Sequence, residues 1–114
     1  MEIKRYNSNG RFHEAVTFGE TLYLCGKCAD GADITEQAKA CLADLEATLE
    51  KYGSDKTRIL SATVYLKDMS DFGGFNAVWD AWFEEGTQPI RTCVEAALAA
   101  TKFLVEITLI AALK

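Results

Sequence analysis

The chain of 114 residues has one proline, Pro89, and one histidine, His13. A single histidine leaves no His-rich set for a metal centre, and a Cys-His nucleophile would need His13 itself to come close. Lys and Arg are outnumbered by Asp and Glu, giving a net charge of −5, and no stretch interleaves basic and aromatic residues. That balance disfavours a duplex or single-strand nucleic-acid surface. No glycine-rich phosphate loop and no dinucleotide fingerprint occurs, so nucleotide cofactors are not expected. No run approaches the ~18 apolar residues a membrane span requires. Met1-Glu2-Ile3-Lys4-Arg5 has no apolar core behind its charges, so no secretory leader is expected and the expected location is cytoplasmic. Repeats, linkers and low-complexity segments are missing too, which suits one domain over residues 1–114.

Four cysteines are present, Cys25, Cys28, Cys41 and Cys93, and their spacing does not form a disulfide framework. Cys25-Gly26-Lys27-Cys28 is a CxxC. A redox pair of that kind sits at a helix N-terminus, and zinc would want a second cysteine pair. This one ends a strand and enters a loop.

What is there is a mixed α and β pattern. Met1 to Tyr6 reads as a strand, and Asn7-Ser8-Asn9-Gly10 as a turn. Ala15–Phe18 and Thr21–Cys25 form a hairpin about Gly19-Glu20. Gly26 then breaks the strand, where a missing side chain admits a close neighbour. Asp33 with Glu36 begins a helix with Ala38, Leu42, Leu45 and Leu49 on its buried face, ending at Tyr52-Gly53. Ile59–Leu66 alternates as a strand. A second helix carries Phe72, Phe75, Trp79, Trp82 and Phe83 at spacings of three and four. The order β β β α β α β β predicts an α+β domain with two helices on one face of a mixed sheet. The other face, with Tyr23, Cys25 and Tyr65, is too apolar for water, and closed self-association would cover it.

The chemistry is expected near the C-terminus. Beyond Pro89, Arg91, Cys93 and Glu95 alternate onto one strand face. The following segment, Phe103 to Leu113, is apolar on both faces apart from Glu106 and Thr108. Arg91 offers a fork of donors for a carboxylate; otherwise it is a salt bridge at a strand entrance. Glu106, in a partly apolar setting, could hold a water; otherwise it pairs with a neighbouring cation. If the two strands form a hairpin across residues 99–102, Glu106 faces Ala96, roughly 17 Å from Arg91 at ~3.3 Å per residue. Two groups so placed would meet one small ligand only if they came from neighbouring copies.

Pro89-x-Arg91-x-Cys93-Val-Glu95 followed by Val105-Glu106-Ile107 resembles the C-terminal signature of the Rid family, the YjgF-like reactive intermediate deaminases. The likeness extends through Val64-Tyr-Leu-Lys-Asp-Met-Ser-Asp-Phe72, Asn76-x-x-Trp79, Trp82-Phe83 and the Gly19 hairpin with Cys25-Gly26, nearly the whole chain. It implies a chorismate-mutase-like α+β fold assembled as a homotrimer, with clefts between subunits. It further implies hydrolysis of enamines and imines such as 2-aminoacrylate, 2-iminopropanoate or 2-iminobutanoate to 2-keto acids and ammonia, without metal or organic cofactor. Arg91 would hold the substrate carboxylate and Glu106 the attacking water; Cys93 and Gly26 would line the site and Asn76 support it. Two positions depart from the family. Phe12 stands where deaminases carry a tyrosine, and Cys25 where they carry a hydroxyl residue. The same resemblance leaves room for a non-catalytic trimer that binds small carboxylates or stabilises other proteins, and for a ribonuclease or translation inhibitor.

Overall fold

A computed structural model describes residues 1–114. Eight regular elements follow one another: β1 (Ile3–Ser8), β2 (His13–Phe18), β3 (Thr21–Leu24), α1 (Ile34–Lys51), β4 (Ile59–Leu66), α2 (Phe72–Trp82), β5 (Ile90–Glu95) and β6 (Val105–Ala112). The order expected from the sequence is the order observed. One six-stranded sheet runs β1-β2-β3-β6-β4-β5. The β2–β3 hairpin closes at Gly19, whose φ of 62° suits a residue without Cβ.

Helix α1 begins as its sequence predicts. Asp33 accepts from the Glu36 amide at 2.9 Å. The Glu36 carboxylate reaches back one residue further than in the usual box, to the Ala32 amide at 2.7 Å. The helix stops at Tyr52, and Gly53 follows with a φ of 88°. Its stripe of Ala38, Cys41, Leu42, Leu45 and Leu49 is fully buried. Each leucine there contributes about 2 kcal/mol of burial. That stripe lies against the sheet face formed by Leu22, Leu24, Val64, Leu66, Ile107 and Leu109, with Phe75 and Trp79 of α2 completing the core. Buried Gln37 ties the layers together, donating to the Gly31 and Lys102 carbonyls and accepting from the Leu104 amide.

One expectation is wrong. The strands of Arg91 and Glu106 are not a hairpin: β5 pairs with β4 in parallel, and β6 pairs with β4 antiparallel on its other side. The reason is the helix between β4 and β5. A strand–helix–strand unit returns the chain parallel to its start, leaving β5 at the sheet edge. Residues 96–104 then cross over β4 instead of turning tightly.

The second face of the sheet has no helix on it. Phe18, Tyr23, Ile90 and Val94 are exposed there, and Tyr65 and Ile110 are half-exposed. No helix is long and apolar enough to cross a membrane.

Candidate functional site

Strand register decides where each candidate side chain lies. Arg91 stands beside Ala62 of β4, which stands opposite Leu109 of β6. Both neighbours are buried, so Arg91 belongs to the helix-covered face. Cys93, beside Val64, is on that face as well and packs against the core. Glu106 is opposite Tyr65 and level with Val94, on the uncovered face. Their backbones are two strands and three residues apart, roughly 14 Å, and their side chains leave opposite sides of the sheet. Within one chain Arg91 and Glu106 cannot meet a common small ligand.

Arg91 is half-buried at the β5 edge. Its Nη1 donates to Asn76 Oδ1 of α2 at 2.9 Å. Three rings of the same helix surround the guanidinium, with centroids 5.2 Å (Trp79), 5.7 Å (Phe72) and 5.8 Å (Phe75) from Cζ. These are cation–π distances, and with the Asn76 bond they hold the guanidinium in place. No ion pair in the chain involves Arg91. A guanidinium with five donors has spent one on an amide and none on a carboxylate. Burial raises the pKa of the neighbouring Cys93 thiol, against the opposing pull of the Arg91 charge, so Cys93 is a neutral wall.

Glu106 is held differently. After β3 the chain bulges, and Lys27 exchanges backbone hydrogen bonds with Ile107, 2.9 Å one way and 3.0 Å the other. This lays Gly26 and Cys28 beside Glu106. A Cβ on Gly26 would stand 3.0 Å from Glu106 Cδ and 3.2 Å from Cγ, and closer still to Oε2. The strand-breaking glycine thus makes room for this carboxylate. On its other oxygen, Oε1 accepts from the Cys28 thiol at 3.5 Å.

Phe12 and Cys25 come together. With Asn7, Asn9, Glu14 and Lys27 they line a depression of about 190 Å³ beside the β1–β2 turn. Phe12 is 54% exposed. Glu14 anchors the depression, accepting from Lys27 at 2.9 Å, Lys51 at 3.1 Å, Asn7 at 3.3 Å and the Tyr52 hydroxyl at 2.7 Å. Those donors, Lys27 first, hold its carboxyl far below the usual range. The sequence reading missed this cluster, because Glu14 falls in a hairpin strand with nothing to mark it. Nor did it assign Cys28 a role. The CxxC was weighed as a dithiol or zinc motif, yet Cys25 faces the depression and Cys28 faces Glu106. Burial raises both thiols, Cys28 to about 11 with a further push from the Glu106 carboxylate. No three His, Cys, Asp or Glu side chains are grouped to hold a metal ion.

The candidates therefore form two separate groups: Arg91, Cys93 and Asn76 at the β5 edge, and Phe12, Cys25, Gly26 and Glu106 around the central strands β3 and β6. The largest cleft, about 560 Å³ between α1 and α2 with Leu42, Val78 and Trp82 in its walls, contains none of them.

The sequence model of the Endoribonuclease L-PSP family matches residues 2–113. The chain belongs to this family. It is 42% identical over 113 residues to the RutC family protein YoaB of Escherichia coli, covering 98% of this chain and 99% of that one. A RutC family protein of Haemophilus ducreyi is 34% identical, with 97% of each chain covered. Among solved structures, a YjgF family member from Neisseria meningitidis superposes with a TM-score of 0.96 at 38% identity, covering 100% of this chain and 97% of that one. The YjgF name agrees with the resemblance carried by the Arg91 and Glu106 motifs, and the superposition with the α+β fold expected from it.

Proposed function

We propose that this protein hydrolyses enamine and imine derivatives of 2-amino acids, of the 2-aminoacrylate and 2-iminopropanoate kind, to 2-keto acids and ammonia in clefts between the subunits of a homotrimer. The observation that carries the proposal is Arg91: a half-buried guanidinium, aligned by Asn76 and three rings, with no carboxylate of its own. Such a fork suits an anionic substrate's carboxylate, which it would bind through two parallel N–H donors. Glu106 of a neighbouring copy, carried on that copy's uncovered sheet face, would then face the imine carbon.

The chemistry asks little of the protein. An enamine first takes a proton on its β-carbon and becomes the imine. Water adds to the imine carbon while Glu106 accepts a proton from it. The C–N bond then breaks, nitrogen leaves as ammonia with the proton returned, and the carbonyl forms. A protonated imine is already electrophilic, so orientation and one positioned water supply the rate. Separation of Arg91 from Glu106 within the chain is the reason for placing the site between copies, and the apolar uncovered face is the reason for the assembly. A single chain with no cleft at Arg91 fits this arrangement, since the second wall would belong to another copy.

A second reading has one observation in its favour. Phe12 and Cys25 border the same depression, and both lack the hydroxyl found at these positions in deaminases of the resembled family. A trimer that binds small carboxylates without turning them over would tolerate both changes. An RNA-cleaving role, which the family's endoribonuclease name suggests, gains nothing from a chain of net charge −5.

The test is keto-acid formation from imines generated in place by an amino-acid oxidase or a lyase, with wild type beside Arg91→Ala. Wild type is expected to accelerate release, and Arg91→Ala to lose about 100-fold in kcat/KM, the worth of a bidentate charged contact. Carboxylate binding without acceleration would transfer the assignment to the binding reading.

A further inference from the structure

The hydrolytic proposal uses Glu106 but does not explain what holds its carboxylate in one orientation. An acidic side chain on the uncovered face of a sheet has rotamer freedom, and a water-positioning group is useful only when that freedom is removed. Two neighbours remove it. Gly26 leaves a notch that the carboxylate fills, and Cys28 meets the oxygen that the notch leaves free. Resting on the hydrolytic reading, we propose that Cys28 is a positioning residue of the site, its thiol donating to Glu106 Oε1 so that the carboxylate is held in one orientation toward the water.

Geometry supports a donor and not a nucleophile. Cys28 is half-buried, its sulfur is 3.5 Å from Oε1, and its backbone is fixed by the Lys27–Ile107 bridge next to it. The thiol stays protonated across neutral pH, its pKa pushed up to about 11 by burial and by Glu106 itself. A thiol in that state is poor at attack, disulfide exchange or metal ligation, and it retains the hydrogen it donates. Cys25, three residues earlier, points to the Phe12 depression and has no bond to Glu106. The CxxC pair is therefore split between two tasks.

Two measurements on the full-length protein test this. In kinetics, Cys28→Val keeps the volume and removes the donor. It is expected to lower kcat roughly five- to tenfold while KM stays within about twofold, because the substrate carboxylate is held elsewhere. Cys28→Ser restores a donor and is expected to recover most of the rate. In a Glu106→Gln background the Cys28→Val change is expected to cost nothing further. In infrared spectroscopy of the wild type, Glu106→Gln is expected to shift one S–H stretching band, and Cys28→Val to abolish that same band. An active, Glu106-dependent enzyme in which Cys28→Val matches wild type overturns the inference and leaves the hydrolytic reading standing. So does a thiol spectrum that ignores Glu106→Gln. A wild type inactive on every imine overturns both.

Discussion

Replacing Gly26 by alanine tests the site in one methyl group. The added Cβ would lie 3.0 Å from Glu106 Cδ and 3.2 Å from Cγ, with Oε2 closer still. Ordinary carbon contacts are about 3.5–4.0 Å, so the carboxyl must retreat by about half an ångström or more. It then loses either the Gly26 notch or the Cys28 thiol. Backbone strain does not enter, because Gly26 is outside the left-handed region. An alanine there also narrows the unfolded ensemble, worth about 0.4–1 kcal/mol in favour of folding. The steric cost and this gain nearly cancel, and thermal unfolding should change by no more than about 1 kcal/mol. Activity should not be spared, since displacements near 1 Å at a reacting group cost about 100-fold. The assay is kcat/KM for imine hydrolysis beside a thermal melt, repeated in a Glu106→Gln background where Gly26→Ala should add nothing. A stable Gly26→Ala protein with wild-type kcat/KM would refute the placement of Glu106 in the reaction.

Two further predictions concern stability. Glu14→Gln should destabilise by about 1–3 kcal/mol at pH 7, because Lys27 loses a charged partner in a part-buried setting. The Glu14 pKa is depressed in the folded state, so its contribution is full above the unfolded value of about 4.3 and is lost as pH falls through the folded value. Acid titration of both proteins should show the gap in melting temperature closing below about pH 4; a constant gap would deny the ion pair its role. Gly73→Ala, in α2 where a Cβ meets nothing within 4 Å, should stabilise by about 0.5–1 kcal/mol and raise the melting temperature by a few degrees.

Much of this molecule is legible in its sequence where the determinants are local. The Asp33–Glu36 start of α1, its leucine stripe, and the glycine turn of the β2–β3 hairpin each depend on residues a few positions apart. Pairing of β5 does not. Arg91 and Glu106 sit close enough in sequence to invite a hairpin, and only the α2 crossover, a tertiary fact, places β4 between them. Opposite faces for the two side chains are common to both pairings, since Ala96 in the expected hairpin also lies off the Arg91 face; what the crossover changes is the strand that separates them. Glu14 illustrates a different limit. Its four donors come from β1, the segment after β3 and the end of α1, so its importance is invisible in the strand that carries it. Cys28 drew no role of its own from the sequence, because its neighbour Glu106 is 78 residues away and only the bulge at Gly26 turns the two CxxC thiols to separate partners.

The central claim is that one active site takes Arg91 from one copy and Glu106 from another. Arg91→Ala and Glu106→Ala, each inactive alone, should be unfolded, mixed in equal amounts and refolded together. In randomly mixed trimers about a quarter of the interfaces would combine an intact Arg91 with an intact Glu106 across the two chains. The mixture should therefore recover roughly a quarter of the wild-type rate per chain. A mixture as inactive as its parents, with native mass spectrometry showing that the mixed assemblies have formed, would contradict a site shared between copies.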